Sequence, residues 1–204
     1  YLKIKHIKTS LLISFICISS LLFSQKFADK EIYLIDSLSL SILTEPDLIL
    51  LDTCLHNYHA GASDSARINA IGVICENMSD QSWVLYQHFQ LTEIYASIEK
   101  KDSYFLQKSL GNAFNNLGFY YDLQGEIQTA RSYYTQALEK FKEIGYQSGM
   151  SISNNNLGYL YQMEGNVIKA LEHYHQSFLI SEKSGDIKGM AYCSTKSLII
   201  YNKH

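Results

Sequence analysis

His56 and His59 stand three apart in a stretch of helical character, close enough to one turn for both rings to face a single ion. No Glu or Asp sits near them at the spacing of a helical zinc-protease motif, so no metal site is expected. His173 and His175 are two apart, which on a helix turns them to different sides. Cys17, Cys54, Cys75 and Cys193 are scattered. They form neither a disulfide framework nor a metal-ligand spacing and read as small buried side chains. None of the serines lies in a strand–turn–helix elbow of the kind that presents a nucleophile. No Gly-rich phosphate loop and no dinucleotide fingerprint occurs. The expectation is a non-enzymatic chain with no catalytic residues, no metal and no small-molecule cofactor.

The elements that position side chains are more informative. The chain has 204 residues, 47% of them hydrophobic and 18% charged, which is enough apolar content to bury a core. Pro46 is the only proline, so helix can follow helix without interruption. The 16 tyrosines suit seams between helices, where the ring is buried and the hydroxyl stays wet. The net charge is −3 and no basic stripe with interleaved aromatics is present, which argues against nucleic acid as a partner. Lys3, Lys5 and Lys8 precede the uncharged apolar run 11–23, and Ser24 offers a small residue at a cut site. Residues 1–24 therefore read as an export signal peptide, and the apolar run is short for a membrane span.

Shifting the sequence by forty residues aligns 115–150 with 155–190 without a gap. Identical pairs include Asn115/Asn155, Asn116/Asn156, Leu117/Leu157, Gly118/Gly158, Tyr121/Tyr161, Gly125/Gly165, Ala130/Ala170, Tyr134/Tyr174 and Gly145/Gly185. A period of about 40 belongs to solenoids. Each block predicts two helices. The turn between them falls at Gly125 or Gly165, and Gly145 or Gly185 ends the second helix. Ile127, Ala130, Tyr134 and Leu138 recur on one helical face, as do Val167, Ala170, Tyr174 and Phe178.

These residues resemble the tetratricopeptide repeat in a variant of about forty residues. The family's Leu-Gly pair falls on Leu117-Gly118 and Leu157-Gly158, and its next aromatic on Tyr121 and Tyr161. Its small residue and following aromatic fall on Ala130 with Tyr134 and on Ala170 with Tyr174. Its second small residue is Ala137 in one block but Ser177 in the other, and its helix-ending proline is absent from both. The resemblance implies an all-α, right-handed superhelical solenoid of antiparallel helix pairs, with the first helix of each pair lining a concave groove. It also implies a protein or peptide ligand in that groove, facing Asn115, Asn116, Phe119 and Asp122 and their equivalents Asn155, Asn156, Tyr159 and Gln162. Some family members hold peptides with asparagines just before the Leu-Gly pair, here Asn116 and Asn156. Such amides can both donate to and accept from an extended backbone. The alternative is that the asparagines solvate the groove or bridge neighbouring helices. The cationic pair that clamps a terminal carboxylate in other members is missing, so an acidic C-terminal tail is not the expected ligand.

Outside the two clear blocks the pattern weakens. The expected organisation is a signal peptide over 1–24, an N-terminal helical cap over 25–63 and a solenoid over 64–204. The cap is predicted as helices over 27–43 and 45–59. The solenoid divides into a degenerate repeat 64–110, repeats 111–150 and 151–190, and a partial repeat 191–204. Leu198, Ile199 and Ile200 are expected to lie uncovered at the end of that half repeat, where a capping helix should be polar. Two functions fit: an exported scaffold that binds other polypeptides, or the extracytoplasmic sensory part of a longer signalling protein. A membrane tether follows only if the chain continues into a span or the leader stays attached.

Overall fold

A computed structural model of the chain describes residues 30–202. The export-signal reading of 1–24 lies outside the described residues. Among the described residues the fold is a row of antiparallel helices: α1 Glu45–Ala60, α2 Asp64–Asn77, α3 Trp83–Lys100, α4 Tyr104–Leu123, α5 Ile127–Glu143, α6 Gln147–Met163, α7 Val167–Ser184 and α8 Ile187–Tyr201. Each helix packs on the next, and α2, α4, α6 and α8 also touch in succession. The fold is an all-α solenoid of helix pairs, α2/α3, α4/α5 and α6/α7, flanked by α1 and α8. No helix among the described residues is long and apolar enough to cross a membrane.

The helix boundaries follow from short polar side chains and glycines. Thr44, Ser63, Ser103, Asn166 and Asp186 each accept a hydrogen bond from a backbone N–H of the helix they start. Gly125, Gly145, Gly165 and Gly185 all have φ between 67° and 75°, a conformation that costs an L side chain energy. After each glycine the next N–H reaches back to the helix just ended. These bonds run from Glu126 to the Tyr121 carbonyl, Tyr146 to Phe141, Asn166 to Tyr161 and Asp186 to Ser181, at 2.8–2.9 Å. One turn is thus used four times.

Within a pair, a glycine faces a ring. A Cβ on Gly118 would lie 2.6 Å from the Tyr134 ring, and one on Gly158 would lie 2.9 Å from Tyr174. Neither separation is tolerable, so the Leu-Gly glycines are what let the two helices close. Upstream, Gln90 presses on Gly72 in the same manner, with an amide in place of the ring.

The expected helix over 27–43 is not what forms. Only Lys30–Tyr33 is helical, followed by a short 3₁₀ turn at Leu40–Ile42, with 27–29 outside the described residues. Leu34 has φ 65°, which breaks the helix. Serine alternates with apolar residues here (Ser37, Ser39, Ser41), and serine side chains compete for backbone groups in non-helical conformations. The segment instead drops Leu38 and Leu43 into the apolar cluster of Leu51, Leu55, Ile71, Ile74 and Tyr86. At the other end Leu198 and Ile199 are 59% and 39% exposed, as expected, whereas Ile200 is buried under α7. Helical rotation separates these neighbours, because one face of α8 has α7 beneath it and the other does not.

Candidate functional site

The asparagines before the Leu-Gly pairs form a chain of side-chain bonds between repeats. Asn116 Nδ2 donates to Gln87 Oε1 at 2.9 Å, Gln87 Nε2 donates to Gln90 Oε1 at 2.6 Å, and Gln90 Nε2 donates to the Ile68 carbonyl at 2.9 Å. Gln87 and Gln90 are buried, so this run carries an amide relay from α4 through α3 to α2. One repeat later Asn156 Nδ2 donates to Asn115 Oδ1 at 3.1 Å, and the Ser153 hydroxyl reaches the same oxygen at 3.4 Å. Further on, the Cys193 thiol donates to Asn155 Oδ1 at 3.1 Å. Each asparagine is only partly buried. They therefore bridge neighbouring helices and also keep amide atoms at the surface, such as Asn155 Nδ2 and Asn156 Oδ1.

The remaining predicted positions divide. Gln162 Oε1 accepts from the Tyr174 hydroxyl at 2.9 Å and is committed to the seam within its own pair. The Tyr159 ring lies 5.7 Å from the Lys196 ammonium on α8. Phe119 is 51% exposed, an apolar ring facing solvent beside the amide strip. Asp122 is half-buried, and burial pushes its carboxyl above the usual range. The structure thus brings Asn115 and Asn156 together, ties Asn116 and Asn155 to separate neighbours, and leaves Phe119 on the surface.

The other chemically suggestive residues are dispersed. His59 Nε2 meets the Ile32 carbonyl at 2.9 Å and its ring abuts Tyr58, while His56 is exposed. Cys54, Cys75 and Cys193 are buried free thiols, and burial raises the Cys54 and Cys75 thiols above their ordinary value. Among the described residues no group of three or more His, Cys, Asp or Glu side chains is placed to hold a metal ion.

Beside Asn155 and Asn156 a cavity of about 660 Å³ opens between α6, the end of α7 and the start of α8. Ile152, Ile180 and Tyr192 form its apolar walls, Ser151 and Ser181 line its polar side, and the charged Asp186 and Lys188 border it as well. Ser151, Ser177 and Ser181 are buried and bonded to one another, with Oγ–Oγ distances of 2.7 Å (151–177) and 3.1 Å (151–181). The Ser177 hydroxyl is also 2.9 Å from the Ser151 carbonyl. Forty residues earlier the corresponding space is full. The Phe141 ring sits there, so close to Gly111 and Gly149 that a Cβ on either would lie 2.5–2.6 Å from it. Tyr146 packs edge-on to Phe141 at 5.4 Å, and Lys108 lies 4.6 Å from the Tyr146 ring. Gly111, Phe141, Tyr146 and Lys108 become Ser151, Ser181, Asp186 and Ser148 in the next repeat. The identical pairs of the two blocks do not include these positions. The signal was available in the mismatches, where rings give way to hydroxyls.

Comparisons with known proteins agree with this architecture. Residues 110–144 match the family model described as "Tetratricopeptide repeat". No curated protein sequence matches the chain. Among solved structures the chain is similar to BtubC (BKLC) from P. vanneervenii, with a TM-score of 0.53 and 13% sequence identity, covering 77% of this chain and 72% of that one. At that identity the likeness concerns the fold alone. The matched stretch is a repeat of tetratricopeptide type, set within an all-α solenoid whose paired helices share one recurring glycine turn.

Proposed function

We propose that this protein is an exported scaffold that binds an extended polypeptide segment along the surface formed by α4, α6 and α8, and performs no catalysis. The observation that carries the reading is the strip of half-exposed amides at Asn115, Asn116, Asn155 and Asn156, flanked by Phe119, Tyr159 and the cavity beside Tyr192. Amides held in place by bonds to neighbouring repeats are pre-oriented, so their free atoms meet a peptide backbone at little entropic cost. Exposed rings beside them supply apolar contact area.

The test is selection of random dodecapeptides on the immobilised full chain. Asn155→Ala combined with Tyr159→Ala should weaken the selected peptides about tenfold or more, as loss of an interface anchor does. Selection of no peptide, or equal binding by the variant, overturns the reading. Export is tested separately by the intact mass of the protein from its native source, which should begin at Gln25.

A second reading is that the helices form the sensory part of a longer signalling protein. The exposure of Leu198 and Tyr201 on α8, where a further helix would pack at the next period, favours it. An open reading frame that continues past the His204 codon into more repeats and a membrane span would support it, and a stop codon there would remove it.

A further inference from the structure

We infer that the cavity between α6, α7 and α8 receives a tyrosine side chain presented by the bound segment. This rests on the polypeptide-scaffold reading and adds the residue type that is recognised. In the preceding repeat the same junction holds the Phe141 and Tyr146 rings, with glycines at 111 and 149 making room. The backbone and the turn are repeated, but the rings are not, and a space of about 660 Å³ results. Its apolar walls, Ile152, Ile180 and Tyr192, suit an aromatic face. Ile152 and Tyr192 stand 48% and 45% exposed at the rim, so the opening is reachable from outside.

The polar side selects the phenol. The Ser177 hydroxyl donates to the Ser151 carbonyl. The 2.7 Å contact between Ser177 and Ser151 then needs the Ser151 proton, and the 3.1 Å contact between Ser151 and Ser181 needs the Ser181 proton. All three protons are thereby used within the cluster, and the Ser181 oxygen keeps lone pairs open at the cavity wall. A ligand group meeting that oxygen must donate a hydrogen bond. A phenol O–H on an aromatic ring does so, whereas a phenylalanine ring cannot and would leave the acceptor desolvated. Asn155 and Asn156, at the same mouth, are placed to hold the peptide backbone on either side of the inserted residue.

The experiment titrates the full chain, with methyl-labelled isoleucines, against N-acetyl-tyrosinamide, N-acetyl-phenylalaninamide and N-acetyl-leucinamide. Saturable shifts of the Ile152 and Ile180 methyls in the millimolar range are expected with the tyrosine amide, and about fivefold weaker binding with the phenylalanine amide for want of one hydrogen bond. Ser151→Gly with Ser181→Phe copies the filled junction and should abolish the shifts. Ile152→Trp, which blocks the rim without touching the buried hydroxyls, should do the same if the first variant fails to fold. No saturable shift, equal affinity for all three amides, or unchanged binding by the blocked variant overturns the inference. Selected dodecapeptides that lack tyrosine yet depend on Asn155 would leave the scaffold reading standing and remove the tyrosine pocket alone.

Discussion

The two clear repeats share a backbone period and differ in what fills it. Around α4 and α5, Phe114 packs against Tyr133 at 6.1 Å, Phe141 against Tyr146, and Ala137 is fully buried. At the corresponding places around α6 and α7 stand Asn154, His173, Ser181, Asp186 and Ser177. The ring pair of Phe114 and Tyr133 becomes a hydrogen bond of 3.0 Å between His173 Nδ1 and Asn154 Oδ1. One contact survives in kind: Tyr121 stacks on Tyr133 with 5° between planes, and Tyr161 stacks on His173 with 11°. What persists across both repeats is the Leu-Gly–Tyr seam within each pair and the turn that follows it. The chemistry changes at the other end of each pair, where its two helices meet each other and the helix that follows. Rings fill by volume and exclude water, whereas hydroxyls and amides hold by direction and leave space.

Breaking the ring-filled junction should cost most. Phe141→Ala removes a fully buried ring from the α4–α5–α6 cluster and should destabilise the chain by about 3–5 kcal/mol, read from urea unfolding. A loss near that of a surface substitution would show that Phe141 does not bind the two pairs together.

Next comes the buried carboxylate of Asp47 at the N-terminal end. Burial raises the Asp47 carboxyl, but the Ser79 hydroxyl and N–H at 2.7 and 2.8 Å, with help from Thr44, more than reverse this and hold it below its ordinary value. Asp47→Ala should cost about 2–3 kcal/mol at neutral pH by stranding those donors. Because the folded-state pKa is the lower one, the carboxylate's contribution is complete above the unfolded value and is lost as pH falls through the folded value. The variant should therefore lose less stability than the parent on acidification below about pH 4.

Ser181→Ala tests the hydroxyl-filled junction directly. Ser151 keeps its bond to Ser177, so the cost should be about 1 kcal/mol or less, well below that of Phe141→Ala at the equivalent position. Equal costs at the two positions would erase the distinction between the junctions.

The smallest effect concerns His173. Burial lowers its pKa, with Lys142 and Lys169 adding to the shift and Glu172 opposing it. The neutral ring is the form the fold favours. Its contribution is complete above the ordinary histidine value and fades as pH falls through the lowered one. Amide protection factors in α6 and α7 should fall on mild acidification before those in α4 and α5 do. His173→Phe should remove that difference, and a fall that is uniform across all four helices would sink the assignment.

Much of this architecture was legible in the sequence because it is carried by identical residues at a fixed spacing. Gly125, Gly145, Gly165 and Gly185 mark the turns, and Gly118 and Gly158 mark the close approach of helices. Each acts through its own backbone or through one neighbour at a fixed offset. The segment before α1 departs from the expected helix because composition alone does not reveal that Leu34 turns left-handed and that Leu38 seeks a core built from three later helices. The candidate site was legible only in outline. Asn115, Asn116, Asn155 and Asn156 were visible as a pattern, but their partners Gln87, Ser153 and Cys193 depend on how far apart successive helices stand. The cavity was hidden for a different reason: it arises from a side chain that is missing, and alignment of like with like does not register an absence.

The turn used four times has a mechanical consequence. Each glycine turn joins two rigid rods, and each rod leans mainly on its immediate neighbours. Tension applied to the two ends would load the links in series, so the weakest junction gives way first and shields the others. With rings at one junction and hydroxyls at the next, the chain should lengthen in separate steps under load, α8 and α7 peeling from α6 while α4 and α5 still hold.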